Sequence, residues 1–150
     1  MKIYLATDHA GFELKEKIKK YLVENSYQVQ DFGALVYDAK DDYPDFVKFV
    51  AGALSVDLEN SLAIILGGSG QGEAMVANRY PRVRAAVFYG PRPVADPFLP
   101  VRLAREHNNA NILSLGARLM SDEEALEAVR VFIATLFSGD ERHERRLAKF

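Results

Sequence analysis

The sequence of 150 residues contains no cysteine. This absence excludes disulfides, thiolate nucleophiles and cysteine metal ligands, and it is compatible with a reducing compartment. The chain also lacks any apolar window near the ~20 residues that a membrane helix needs, and its first residues are too briefly apolar for a signal peptide. We therefore expect a soluble, cytoplasmic protein that has no membrane partner.

Neither sign of charge dominates the chain. Lysine and arginine together number 19, against 21 aspartates and glutamates. Such a balance provides no broad basic surface, so we expect no nucleic-acid partner. Small polar or anionic ligands stay compatible with it, because local clusters can still be basic.

Short apolar runs alternate with longer amphipathic stretches. The apolar runs are the predicted strands: Ile3 to Ala6, Val29 to Phe32, Leu62 to Leu66, Ala85 to Tyr89 and Ile112 to Leu115. The stretches with helical spacing are Phe12 to Asn25, Tyr43 to Val56, Gly72 to Tyr80, Val101 to Asn108 and Asp122 to Phe137. This alternation predicts an α/β fold with a five-stranded parallel sheet covered on both faces. The length and a hydrophobic content of 49% predict one domain over residues 1–150.

A glycine-rich segment, LGGSGQGEAM, runs from Leu66 to Met75. It lacks the Lys-Ser/Thr ending of a P-loop and the G-x-G-x-x-G spacing of a dinucleotide fold, so ATP and NAD are not expected. A turn of small residues before a helix can hold an oxyanion through free backbone N–H groups. Ser69 fits either a helix cap or a substrate contact. Glu73 fits either a first-turn residue favoured by the helix dipole or a functional carboxylate.

Other polar residues lie next to predicted strands. Asp8 and His9 follow the first strand, at the edge where doubly wound sheets bind ligands, although Asp8 is also a candidate helix cap. His107 and Asn108 end a helix, where a dipole-favoured cation and a C-cap explain them as well as a catalytic role does. The three histidines lack H-x-x-x-H spacing, so no metal site is predicted.

Arg142 and Arg146 are one helical turn apart. Two guanidinium groups on one face would suit a phosphate, and a solvated basic helix explains them too. The segment Gly90 to Pro100 holds four of the six prolines, which predicts a rigid loop.

Five segments together resemble a known family: Thr7 to Lys15, the loop that ends in Ala77-Asn78-Arg79, Arg105 to Asn111, Gly116-Ala117-Arg118 and Arg142-His143. They are similar, in order and across nearly the whole chain, to the ribose-5-phosphate isomerase type B family, which includes galactose-6-phosphate isomerase subunits. The resemblance implies a Rossmann-like three-layer sandwich and a homodimer, with a tetramer as the alternative. It also implies interconversion of an aldose phosphate and its ketose through an enediolate, without a metal or organic cofactor.

The resemblance implies roles for the loop. Much of the family has a proton-abstracting cysteine at the position of Gly67. The branch without it carries a glutamate in Gly-Gly-Ser-Gly-x-Gly-Glu, which this chain matches at Glu73. Glu73 would therefore be the base, and Ser69 would contact the substrate oxygens. The backbone groups that stabilise the developing oxyanion would belong to Gly68, Gly70 and Gly72.

The resemblance also implies how the sugar is held. Asp8 and His107 would bind and open the furanose ring, and Asn108 would orient it. The phosphate ligands would be His9, Arg118, Arg142 and Arg146. Because the site of this family lies at the subunit interface, His107 and Asn108 would come from the partner chain.

The chain departs from the family pattern at Gly90 to Pro100, which is longer than the usual link there. This departure leaves the substrate open. Ribose 5-phosphate is the leading prediction, and allose 6-phosphate or galactose 6-phosphate is the alternative. A non-catalytic phosphosugar-binding protein is a further alternative. The presence of Glu73, Ser69, Asp8 and His107 together favours an enzyme, because a sensor needs neither a base nor a ring-opening group.

Overall fold

The computed structural model describes residues 1–91, 93 and 95–150, and Arg92 and Val94 of the predicted rigid loop lie outside this description. A short 3-10 turn, His9–Gly11, follows the first strand. In chain order the other elements are β1 (Lys2–Thr7), α1 (Phe12–Glu24), β2 (Gln28–Asp31), α2 (Pro44–Val56), β3 (Ser61–Gly67), α3 (Gln71–Ala77), β4 (Ala85–Phe88), α4 (Leu99–Glu106), β5 (Ile112–Gly116), α5 (Asp122–Ala134) and α6 (Glu141–Leu147). No helix in the described ranges is both long and apolar enough to cross a bilayer.

The five strands form one parallel sheet in the order β2-β1-β3-β5-β4. The predicted five-stranded parallel sheet is therefore confirmed. All seven residues of the central strand β3 are buried, which explains its continuous apolar run. The chain leaves β1 toward one side of the sheet and β3 toward the other, so strand order reverses between them. This switch point is where doubly wound sheets bind ligands.

Helices cover both faces of the sheet. Because side chains alternate along a strand, Leu62, Ile64 and Leu66 pack in one apolar cluster, and Ala63 and Ile65 pack in the other. The first cluster includes residues of α1, α4 and α5, and the second includes residues of α2 and α3. The chain is therefore the three-layer α/β sandwich that the sequence predicts.

Both α3 and α5 end three residues before their predicted limits. α3 stops at Ala77 rather than Tyr80, because the Asn78 side chain forms hydrogen bonds of 2.7 and 3.0 Å with the backbone of Ala85. α5 stops at Ala134 rather than Phe137, because Thr135 is extended.

α4 is shifted toward the N-terminus. It begins at Leu99 and ends at Glu106, whereas the sequence predicts Val101 to Asn108. Pro100 lies in its first turn, where the fixed φ of proline fits a helix and its missing N–H costs nothing.

Candidate active site

The candidate site lies where β1 and β3 end side by side. Thr7 Oγ1 donates a hydrogen bond of 3.1 Å to Leu66 O. Gly11 permits a close approach, since an added Cβ would overlap Thr7 Oγ1 and lie 2.6 Å from Leu66 Cβ. Asp8 is 6% exposed, and its Oδ1 accepts a backbone hydrogen bond of 2.9 Å within the 3-10 turn. This turn holds Asp8 and His9 beside the glycine-rich loop.

The glycine-rich loop makes a left-handed turn into α3. Gly70, at φ 76°, is the N-cap of this helix. Ser69 Oγ accepts a hydrogen bond of 3.3 Å from Gln71 N, but Gly70 occupies the N-cap position and no side chain caps the helix, so Ser69 is not the helix cap that the sequence allows. The loop is also tied to the end of β5, because Ala117 N donates to Gly67 O at 2.8 Å.

The Glu73 side chain fills the space beside Gly67. A Cβ added at Gly67 would overlap Oε1 and Cδ of Glu73, and it would lie only 2.8 Å from Oε2. The carboxylate therefore occupies the volume that any side chain at position 67 would need. Glycine at position 67 and glutamate at position 73 are two halves of one packing arrangement.

The Glu73 carboxyl is buried without a cationic partner. The residue is 4% exposed, and none of the ion pairs among the described residues includes it. Burial raises the pKa of the Glu73 carboxyl, and the nearby charge of Asp8 raises it further. A carboxyl group whose pKa is raised toward neutrality can both accept and return a proton.

His9 is oriented by Asp41, which the sequence analysis did not identify. One Asp41 oxygen, Oδ1, lies 2.8 Å from His9 Nδ1 and accepts a second bond of 2.8 Å from His9 N. The side-chain contact with Asp41 raises the pKa of the His9 imidazole. His9 therefore stays cationic to a higher pH, which suits a contact with an anion.

Tyr43 is a second site residue that the sequence analysis did not identify, since it assigned Tyr43 only to a helix. Its ring packs against Gly72, where an added Cβ would lie 2.5 Å from the Tyr43 hydroxyl oxygen. Glycine at position 72 is therefore needed to admit this ring. Tyr43 immediately precedes Pro44 at the start of α2, and this position in an aromatic-proline pair is the only sequence signal for it.

A cavity of about 540 Å³ collects these groups. The residues that line it and are named above are Asp8, His9, Tyr43, Gly68, Ser69, Gly72 and Glu73. Arg118 also lines it, and an added Cβ at Gly68 would lie 3.5 Å from Arg118 Nη1. Acid–base, hydroxyl and cationic groups therefore share one cavity at the switch point.

The other predicted site residues lie elsewhere in this chain. His107 follows α4 and precedes β5, so it is at the amino-terminal edge of the sheet, whereas Glu73 is at the carboxyl-terminal edge. The His107 ring packs against the buried His143 ring, with centroids 4.2 Å apart and an angle of 51° between the ring planes, which brings α6 to the same edge. Asn108 and residues of the α6 end line a different cavity from that of Glu73. Within one chain the structure therefore does not bring Arg142, Arg146, His107 and Asn108 to Glu73.

One cluster of potential metal-ligand atoms occurs among the described residues. Asp8, His9 and Asp41 place three such atoms within 4.8 Å of one another. His9 Nδ1 is already hydrogen-bonded to Asp41, so this geometry is that of a histidine held by a carboxylate.

The fold and the cavity define a class. They describe a doubly wound α/β protein that has an acid–base site at its switch point. Comparison with known proteins makes this class specific. The model of the Ribose/Galactose Isomerase family matches residues 3–150.

Individual relatives agree with this match. Ribose-5-phosphate isomerase B of Mycobacterium tuberculosis is 43% identical over 147 residues, which cover 98% of this chain and 86% of that protein. The structure of ribose-5-phosphate isomerase B from Mycoplasma genitalium with bound ribulose-5-phosphate has a TM-score of 0.91 and 36% identity, covering 99% of this chain and 92% of that one. The structure of a ribose 5-phosphate isomerase from Thermotoga maritima has a TM-score of 0.87 and 44% identity, covering 99% of this chain and 95% of that one. The chain belongs to the ribose/galactose isomerase family.

Proposed function

We propose that this chain interconverts ribose 5-phosphate and ribulose 5-phosphate through an enediolate, with Glu73 as the base. The observation that carries the proposal is the buried Glu73 carboxylate, which has no cationic partner among the described residues and lies beside Asp8 in the switch-point cavity. The relatives supply the substrate class, since the Mycoplasma genitalium structure has ribulose-5-phosphate bound.

Glu73 moves the proton between neighbouring carbons. It takes the C2 proton of the open-chain aldose and returns it to C1 of the enediolate, while the hydroxyl proton moves from O2 to O1, so neither charge nor protons accumulate over the cycle. Because burial raises its pKa, the carboxylate is a better proton acceptor than a free glutamate, and the carboxylic acid that forms can return the proton. The opening at Gly67 supports this role, because it lets the carboxylate lie at the start of the loop.

The glycine-rich loop holds the reacting end of the sugar. A phosphate dianion beside Glu73 would be repelled by the carboxylate, so the phosphate lies elsewhere. Backbone N–H groups of Gly68, Gly70 and Gly72 stabilise the oxyanion as it develops, and Ser69 contacts a substrate oxygen. Asp8, which lines the same cavity, binds the ring form.

Completing the site requires a second copy of the chain. His9 and Arg118 lie on the Glu73 cavity, and the Asp41 contact favours the cationic form of His9. The remaining groups are at the other sheet edge of the same chain, so a partner subunit supplies them: His107, Asn108, Arg142 and Arg146. Support for this arrangement comes from topology, because β5 alone separates the two edges by about 13 Å.

Isotope exchange tests the base. In deuterium oxide the wild-type chain should form ribulose 5-phosphate and exchange the C2 hydrogen with solvent. Glu73→Gln should lower both rates roughly 10²–10⁴-fold with a modest change in KM. The exposed carboxylate variant Glu24→Gln is the matched control and should keep the wild-type rates. Isomerisation and exchange by Glu73→Gln at the wild-type rate would remove the proposal.

Two alternatives are separated by further assays. The family description includes galactose isomerases, so turnover of ribose 5-phosphate should be compared with that of allose 6-phosphate and galactose 6-phosphate. Higher kcat/KM for a six-carbon sugar would reassign the substrate. Calorimetric binding of ribose 5-phosphate without conversion of any sugar would instead identify a phosphosugar-binding protein.

A further inference from the structure

A second cavity, of about 630 Å³, lies at the amino-terminal edge of the sheet. Its walls are residues 58–62 at the entry to β3, the turn before β5 and the end of α5. Arg84 and Arg105 both line it. The proposed isomerase reaction uses neither arginine.

Backbone carbonyls hold one side of each guanidinium group. Arg84 Nε donates to Asn109 O at 2.8 Å, and its Nη1 donates to a second carbonyl at 3.0 Å. Arg105 Nε donates to Thr135 O at 3.1 Å, and its Nη1 donates to Ala110 O. In the described part of the chain, neither Nη2 group has a hydrogen-bond partner, and neither is a buried atom left unsatisfied. Both Nη2 groups therefore remain accessible.

The two cations share this cavity with one carboxylate, that of the exposed residue Glu59, which forms no ion pair with either arginine. Arg105 is only 8% exposed. Burial lowers the pKa of both guanidinium groups, and the charge of Arg84 lowers that of Arg105 further. No carboxylate among the described residues shifts the pKa of either guanidinium group. The carbonyl contacts supply dipoles but no net negative charge, so the pair is under-compensated for its burial.

We propose that Arg84 and Arg105 form a binding site for a small tetrahedral dianion of the phosphate type, at the sheet edge opposite Glu73. The free Nη2 groups provide donors of the kind that bind phosphate oxygens. The bound anion offsets the charge of both arginines. Because it binds only where the folded chain brings them together, it stabilises the fold.

Sulfate titration with thermal unfolding tests this site. The background is a His9→Ala/Arg118→Ala chain, which lacks two of the proposed phosphate contacts of the isomerase site. In this background the melting temperature should rise with sulfate concentration. Adding Arg84→Gln should weaken the apparent sulfate affinity at least tenfold, whereas Arg79→Gln removes an exposed charge and should leave it unchanged. Equal sulfate responses in the Arg84→Gln and Arg79→Gln proteins would overturn the proposal.

A second measurement does not depend on how a variant folds. Crystals of the unaltered chain are soaked in selenate, whose selenium is located by anomalous scattering. A peak whose oxygens lie about 3 Å from Nη2 of both Arg84 and Arg105 supports the site. Selenate peaks near His9 and Arg118 with none between the two arginines would refute it.

Discussion

Alanine at position 67 is the sharpest test of the candidate site. The added Cβ would overlap Oε1 and Cδ of Glu73 and approach Oε2 to 2.8 Å. Non-bonded heavy atoms rest about 3.5 Å apart, so the carboxylate must shift by roughly 1–2 Å. A misplacement of about 1 Å can cost on the order of 10²-fold in rate. We therefore expect Gly67→Ala to lower kcat by about 10²-fold while KM changes little.

The fold should survive this substitution. Gly67 pairs with Gly116 within the sheet and is not among the positive-φ glycines, so alanine adds no backbone strain. Overpacking costs about 1–3 kcal/mol. In a chain of this size each kcal/mol lowers the melting temperature by roughly 2–4 °C. Steady-state kinetics and calorimetry on the same preparation separate the two effects.

Two controls identify the cause of the loss. Gly52→Ala places a Cβ 3.8 Å from Tyr80, away from the site, and should keep wild-type activity. In a Glu73→Ala background, Gly67→Ala should cost little further activity, because the group that it displaces is gone. Wild-type turnover by Gly67→Ala, or a full additional loss in the double variant, would refute the reasoning.

Three other perturbations follow from the site. Burial raises the folded-state pKa of Glu73, so its ionised form destabilises the fold above that pKa. Glu73→Gln should therefore have a higher melting temperature than wild type at pH 8. The difference in melting temperature should disappear as the pH falls through that pKa toward about 4. A melting difference that is constant with pH would contradict this. Mixing inactive Glu73→Gln and His107→Ala chains should restore activity through hybrid dimers, and persistent inactivity after confirmed subunit exchange would place both residues in one chain's site. Asp41→Asn removes the contact that raises the pKa of His9, so KM for the sugar phosphate should begin to rise at a lower pH than in wild type. An unchanged dependence of KM on pH would show that His9 does not bind the phosphate.

The sequence was informative where one segment carries its own signal. Short apolar runs predict all five strands, although only β1, β3 and β5 are buried along most of their length and the edge strands β2 and β4 are partly exposed. Asp8 and Glu73 could be identified because each lies next to a strand end, where parallel sheets place their sites. Element ends were less accurate. Pro100 was assigned to a loop, although proline is tolerated in the first turn of a helix.

The remaining site features depend on contacts that no local pattern encodes. Asp41 lies in a segment without regular structure and contacts His9, which is 32 positions earlier in the sequence. Tyr43 reaches the cavity only because Gly72 lacks a side chain. The Glu73 carboxylate reaches from the first turn of α3 to fill the space beside Gly67, and residue spacing alone does not reveal this contact. Whether His107 and Asn108 complete the site remains a prediction.

The close approach at Gly11 has a consequence for engineering substrate range. The gap between the ends of β1 and β3 is set by the close approach of Gly11 to Thr7 and Leu66 and by the hydrogen bond from Thr7 Oγ1 to the Leu66 carbonyl. The distance between Asp8 and the glycine-rich loop is therefore fixed mainly by the backbone, and a library of side-chain replacements would hardly change it. The adjustable wall is the one formed by Tyr43, which begins a helix and follows an irregular segment. Variation for longer sugars is best directed to residues 38–43.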